Sequence, residues 1–390
     1  LKTGGTEGPV NIVARHEDIS DASQTIYFPS VSTQATGEIE HYANAEGKVP
    51  LKDVASYENL RPNTAYEMTA TVHLRKENED GTIEDLGTLK DENGKAYSKT
   101  VEFTTGGVNN GLSGVNGEVE IEMEVDASLL AGKTVTFYEA VTRDKLLVAL
   151  HGDITSEEQS VHFPEIGTSL TDKQTENRIA YAGTTVTLTD TVHYENLIPG
   201  KKVELVGTLH VKNTGYIPAT ATDATLTDAD FETMTGDDMT QNTILYVEGK
   251  PVTQTVSFTP DKPTGDIDVT FTFDASGLGG YTLVCAEKLY YQGVLIGVHT
   301  DIRSKSQSSD IPKIHTLAVN NLTGTHLVNA DGIADLTDYV YYENLKEGET
   351  YRTCGTLINK ATGEPVKDKH GDAVKGWTEF TVHGTDSLIT

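Results

Sequence analysis

Histidine, glutamine and threonine recur three times at one spacing: His16, Gln24 and Thr33; His151, Gln159 and Thr168; His299, Gln307 and Thr316. A threonine hydroxyl is a nucleophile only when a base takes its proton, and a glutamine carboxamide is an electrophile only when its carbonyl is polarised. Histidine moves protons near neutral pH. The three residue types together point to acyl chemistry between a glutamine and a threonine. A proline stands five residues after each glutamine (Pro29, Pro164, Pro312), so the pattern repeats after 135 and then 148 residues. The chain is a tandem array, and what one unit does the next does again.

The segments around these residues read as strands. Val186, Leu188, Asp190, Val192 and Tyr194 alternate as one face of a strand, which sets Asp190 in the middle of an apolar row. Val49, Leu51, Asp53, Ala55 and Tyr57 have the same register, as do Leu336, Asp338, Val340 and Tyr342. The rows Val135, Phe137, Glu139, Val141 and Leu283, Cys285, Glu287, Leu289 each turn a glutamate inward. Twelve residues later, His151 follows Leu147 and Ala149, and His299 follows Leu295 and Gly297, which predicts a core-facing histidine. Each complete unit thus points five polar residues toward its core: Thr, Asp, Glu, His and Gln. Two buried carboxyls without a basic partner are stable only if they share a proton, and a pair with one proton is an acid that can polarise a carbonyl. The set suffices to join Thr Oγ to Gln Cδ as an ester with loss of ammonia.

Turn clusters such as Pro199-Gly200 and Glu92-Asn93-Gly94 separate the strand candidates, and no amphipathic helix is evident. The expected fold is all-β, with tandem immunoglobulin-like β-sandwich domains arranged as a rod. Residues 1–28 read as the C-terminal remnant of a preceding repeat, 29–163 and 164–311 as complete domains, and 312–390 as the N-terminal part of a further repeat. The connections Gln-Thr-Ile-Tyr-Phe-Pro, Gln-Ser-Val-His-Phe-Pro and Gln-Ser-Ser-Asp-Ile-Pro lack the Gly/Ser runs of flexible linkers, so one unit should run almost straight into the next.

The 390 residues carry a net charge of -29, which argues against nucleic-acid binding and against docking on an anionic membrane. No apolar run approaches the length of a membrane span, and no signal peptide is visible, so the chain reads as the interior of something longer. Cys285 and Cys354 fall in different units and read as small buried hydrophobes, not as a disulfide.

With these residues in view, the chain resembles the VaFE-type repeats of Gram-positive cell-surface adhesins, immunoglobulin-like domains that form an autocatalytic Thr–Gln ester between first and last strands. The resemblance covers essentially the whole chain. It implies two cross-links, Thr33–Gln159 and Thr168–Gln307. It assigns proton transfer to His151 and His299, and a polarising acid pair to Asp53 with Glu139 and to Asp190 with Glu287. Where the repeat has an aromatic before its glutamate, the first unit has Tyr138 and the second Ala286. His16, Gln24, Thr316 and Asp338 belong to incomplete sites; Glu7 stands nine, not twelve, residues before His16 and does not complete the first.

The function implied is a structural stalk on the cell-wall-anchored, extracellular surface of a Gram-positive bacterium, not an enzyme with turnover. Neighbouring repeats are its expected partners, with a host ligand bound by a domain outside this segment, and no cofactor is implied. Three other readings compete with it. A ligand-binding head would use the insertion from Asn213 to Thr243, an acyltransferase acting in trans would need an open cleft, and a stalk without cross-links would need none of the five residues. A metal bound by His-x-Asp (His16/Asp18, His151/Asp153, His299/Asp301) would not explain threonine and glutamine at fixed spacing; those aspartates read as turn residues, and Tyr-Glu-Asn-Leu (57–60, 194–197, 342–345) as strand end plus turn.

Overall fold

The computed structural model describes residues 2–3, 11–78, 81–107, 113–181, 183, 185–212, 243–329, 332–383 and 388–389. Glu7 and nearly all of the insertion from Asn213 to Thr243 lie outside them. The described residues are all-β, and Ala22–Gln24 forms a single 3-10 turn. No helix among them is long and apolar enough to cross a membrane.

In the first complete unit, Lys48–Leu60 lies between Ser30–Thr36 and Val115–Asp126 in an antiparallel three-stranded sheet. The facing sheet is centred on Ala65–Glu77 and Lys133–Arg143. Leu146–His151 and Ser160–Phe163 pair with the latter, Ile83–Thr88 and Ser98–Thr104 with the former. Side chains alternate across a strand, so each sheet turns one apolar row inward. Val49, Leu51, Ala55 and Tyr57 meet Met68, Val72, Val135 and Phe137 in one core.

The second unit repeats the plan. Glu165–Asp172, Thr185–Glu195 and Gly265–Asp274 form one sheet; Thr253–Phe258, Val203–Val211, Thr282–Tyr291 and Val294–His299 form the other, with Ser308–Asp310 paired to Thr282–Tyr291. One residue, Pro164, separates the last strand of the first unit from the opening strand of the second. The core of the second unit includes a residue of the first, Tyr42.

The third unit has Lys313–Asn320, Leu336–Glu343 and Leu388–Ile389 in one sheet, and Thr350–Thr356 with Lys375–Thr381 in another. Its core cluster is Val340, Tyr342, Val382 and Ile389. Cys285 is buried as expected, but Cys354 is exposed, because nothing among the described residues covers its face of the two-stranded sheet.

The strand that ends in the histidine departs from simple alternation in both complete units. Pairing of Leu146–His151 with Lys133–Arg143 shifts between Leu147 and Ala149, and the matching shift in the second unit skips Ile296. An extra residue in a ladder reverses the parity of what precedes it. Leu147 is therefore exposed, and Val148 packs on the core instead.

Candidate functional site

The two sheets bring the five polar residues of each complete unit together from four strands and one turn. Thr33 lies on the opening strand opposite Ala55, two pairs along from Asp53, which faces Ala35. Both point inward, and the Thr33 hydroxyl donates to Asp53 Oδ1. Glu139 comes from the opposite sheet, flanked by Ala70 and His151. Gln159 ends the turn before the last strand. Its carbonyl accepts from Phe137 N (2.9 Å), and the preceding carbonyl, of Glu158, accepts from Ala35 N (2.8 Å). The glutamine is thus pinned between the two sheets.

Its carboxamide nitrogen donates to Phe137 O (2.9 Å) and to Glu139 Oε2 (3.2 Å). Gln159 Oε1, Asp53 Oδ2 and Glu139 Oε1 are buried with no hydrogen-bond donor. Leaving three oxygens so would be costly if both acids were ionised. Burial, and then the charge of Asp53, pushes the Glu139 carboxyl up to about 10; burial pushes Asp53 up to about 6. Near neutral pH the two carboxyls therefore hold one proton between them.

The second site has the same members in the same places. Thr168 faces Val192, Asp190 faces Leu170, and Glu287 lies between Gly207 and His299. Burial pushes Glu287 up to about 9 and Asp190 up to about 6. Gln307 Nε2 donates to Cys285 O (2.8 Å) and His299 O (3.1 Å), and Gln307 Oε1 is buried without a donor.

The histidines are less deeply set than the alternation predicts. Both are half-buried; the side chain of His151 is 31% exposed, with Nδ1 3.9 Å from Glu139 Oε2. They lie past the strand irregularity, keep the parity of Ala149 and Gly297, and share the inward face of the glutamates they pair with, at the end of the strand. Their place is beside the glutamate, while the group within reach of Thr33 is Asp53. Burial lowers the His299 pKa and so favours its neutral form.

The incomplete sites are open. His16 bonds Asp21 (2.5 Å) at the surface, and Gln24, Thr316 and Asp338 are exposed. Asp153 and Asp301 accept from the backbone nitrogens of Thr155 and Arg303 (both 2.9 Å), as turn residues do.

A family model of the T-Q ester bond containing domain matches residues 2–28, 29–163, 164–309 and 312–388. The chain belongs to the T-Q ester bond containing domain family. None of the curated proteins compared with it matches. Among solved structures, it is similar to a bacterial adhesin from Mobiluncus mulieris containing intramolecular disulfide, isopeptide and ester bond cross-links, at 13% identity over 75% of this chain and 88% of that one, with a TM-score of 0.27. A second crystal form of that adhesin gives 12% identity, 81% and 98% coverage and a TM-score of 0.26. Red sea bream transglutaminase gives 9%, 71%, 31% and 0.21.

Sequence reasoning missed several residues that shape these T-Q sites. Arg75, buried on its strand, binds Glu157 (2.6 Å) and Ser160 Oγ (3.3 Å), and Glu157 also binds His162 (3.0 Å). This network clamps the turn that carries Gln159. In the second unit Cys285 Sγ stands 3.2 Å from Glu287 Oε1, where the first unit has Phe137. Cys285 Sγ, Asp190 and Glu287 offer ligand atoms within 4.8 Å of one another, a grouping the first unit lacks among the described residues. Opposite Glu287, a Cβ on Gly207 would collide with Glu287 Oε1 and come within 2.8 Å of Phe271 Cζ. A glycine inside an otherwise apolar strand was the available signal.

Two outcomes follow from this geometry. Thr33→Ala keeps both carboxyls of the first site. Because they hold protons more tightly folded than unfolded, their contribution to stability is fully present below about pH 4 and is lost as pH rises through about 6 toward 10. Denaturant midpoints of this variant should therefore fall between about pH 5 and 9 more steeply than those of Thr33→Ala/Asp53→Asn; equal slopes would contradict the shared proton. Gly207→Ala should displace Glu287, destabilising the second unit by about 1–3 kcal/mol and leaving the first unchanged, as read by calorimetry.

Proposed function

We infer that each complete unit staples itself shut by an ester, Thr33 to Gln159 and Thr168 to Gln307, and that the chain is a load-bearing stalk segment of a bacterial surface adhesin. The observation that carries this is made in the first unit, where one acid pair lies between a nucleophile and its target: Thr33 Oγ1 on Asp53, Gln159 Nε2 on Glu139. Ionised Asp53 takes the threonine proton as Oγ1 bonds to Gln159 Cδ. Protonated Glu139 gives its proton to Nε2, which leaves as ammonia when the C–N bond breaks. The pair ends as it began, with one proton, so no outside reactant is needed. Gln159 Oε1, buried without a donor, is where negative charge develops, beside the acid pair. His151, on the solvent side of Glu139, relays protons between the pair and water.

The reaction occurs once per domain. Gln159 and Gln307 are fully buried, which favours self-modification over turnover on an outside substrate. Closing a loop of more than about 100 residues should stabilise each unit by about 4–5 kcal/mol if it behaves as a disulfide of that length. It also routes tension from first to last strand through covalent bonds. Location on the cell-wall-anchored, extracellular surface of a Gram-positive bacterium, with neighbouring repeats as partners, rests on the sequence resemblance.

Intact mass under denaturing conditions should fall short of the sequence mass by two ammonias, about 17 Da each. Thr33→Ala and Glu139→Gln should each restore one of them. A full mass after prolonged incubation of folded protein would sink the reading. Thr168→Ala should lower the melting midpoint of the second unit alone, by the equivalent of about 4–5 kcal/mol. In base, the unfolded wild type should regain one water per bond; a linkage that survives is not an ester.

A further inference from the structure

We propose that the asparagine of each Tyr-Glu-Asn-Leu segment is a latch by which a repeat grips the end of the repeat before it and fixes the angle between them. Asn59, Asn196 and Asn344 all adopt left-handed backbone, with φ of 57, 62 and 61°. Asparagine tolerates that conformation, but glycine does so at less cost, so the turn by itself does not call for a carboxamide.

The side chains have a common use. Asn196 Nδ2 donates to Lys133 O (2.6 Å) and Phe163 O (3.3 Å), and its Oδ1 accepts from Thr134 Oγ1 (2.9 Å) and lies 3.0 Å from His162 Nδ1. All four partners belong to the preceding unit. Asn344 Nδ2 donates to Tyr281 O (2.8 Å) and contacts Thr282 Oγ1 (3.0 Å). Tyr281 and Thr282 stand 148 residues after Lys133 and Thr134, the same offset that separates Asn344 from Asn196. Asn59 Nδ2 donates to Phe28 O (3.1 Å), and Phe28 precedes Pro29 as Phe163 precedes Pro164. The contact is therefore a property of the repeat. The surface recognised is the end of another copy of the unit, read mostly through main-chain carbonyls that do not depend on side-chain identity.

At the first complete junction a second contact braces the latch. The Tyr42 hydroxyl accepts from Ile198 N (2.6 Å), and Glu40 binds Lys201, the Tyr291 hydroxyl and Gln292 (2.9 Å each). These groups belong to a loop of the first unit and to the second unit.

The test uses the full chain with Cys354→Ser and spin labels at Glu122→Cys and Thr270→Cys, both exposed and on corresponding strands. The parent should give a narrow inter-label distance distribution by pulsed electron paramagnetic resonance. Asn196→Gly keeps the turn and removes the carboxamide; Asn196→Asp keeps the shape and removes both donors. Each should broaden the distribution about twofold, since domains move relative to one another once their interface is lost. Melting midpoints of the two units should stay unchanged. Asn59→Gly, whose latch holds a different junction, should leave this distance as in the parent. A broad parent distribution, or Asn196 variants as narrow as the parent, would overturn the proposal.

Discussion

A single proton shared by two buried carboxyls is the constraint on which each complete unit depends. Asp53 and Glu139 arrive from opposite sheets, so the sandwich cannot close without bringing them together. Two charges there would drive the sheets apart, and two protons would leave no base for the threonine. One proton satisfies both packing and chemistry, because the same low polarity that raises the carboxyl pKa values strengthens any hydrogen bond the pair makes. The apolar core is in this sense part of the reactive site, since it excludes the water that would separate the two charges.

The two complete sites reach this condition with different packing. In the first, Phe137 and Ala70 flank the acid pair; in the second, Cys285 and Gly207 stand in their places, and Phe271 reaches to the glycine. The aromatic volume has moved to another strand while the five polar residues have not. Cores tolerate such exchanges when total volume is kept. Positions fixed by proton transfer do not have that freedom, because a carboxyl displaced by about an ångström no longer meets its partner.

A covalent staple within each unit would leave the junctions as the compliant points of the array. The single-residue connector Pro164 limits how far two units can separate, and the asparagine contacts and the Tyr42 and Glu40 bonds limit how they can rotate. Strength within domains and stiffness between them would then arise from separate residues.

The sequence by itself determined the repeat, the all-β class and the candidates for each site. Alternation along 48–57 and Thr185–Glu195 exposes Asp53 and Asp190 as polar residues in apolar rows. That is legible because the period of a strand is local. Alternation failed at Leu147, because an extra residue in one strand is visible only against its partner. The tertiary structure alone decided that Thr33 meets Asp53 while His151 meets Glu139, that Arg75 holds the glutamine turn, that Cys354 is exposed, and that Asn196 serves the neighbouring unit. Each of these depends on which strands lie side by side or which units abut, and pairing between residues far apart in sequence leaves no periodic trace along the chain.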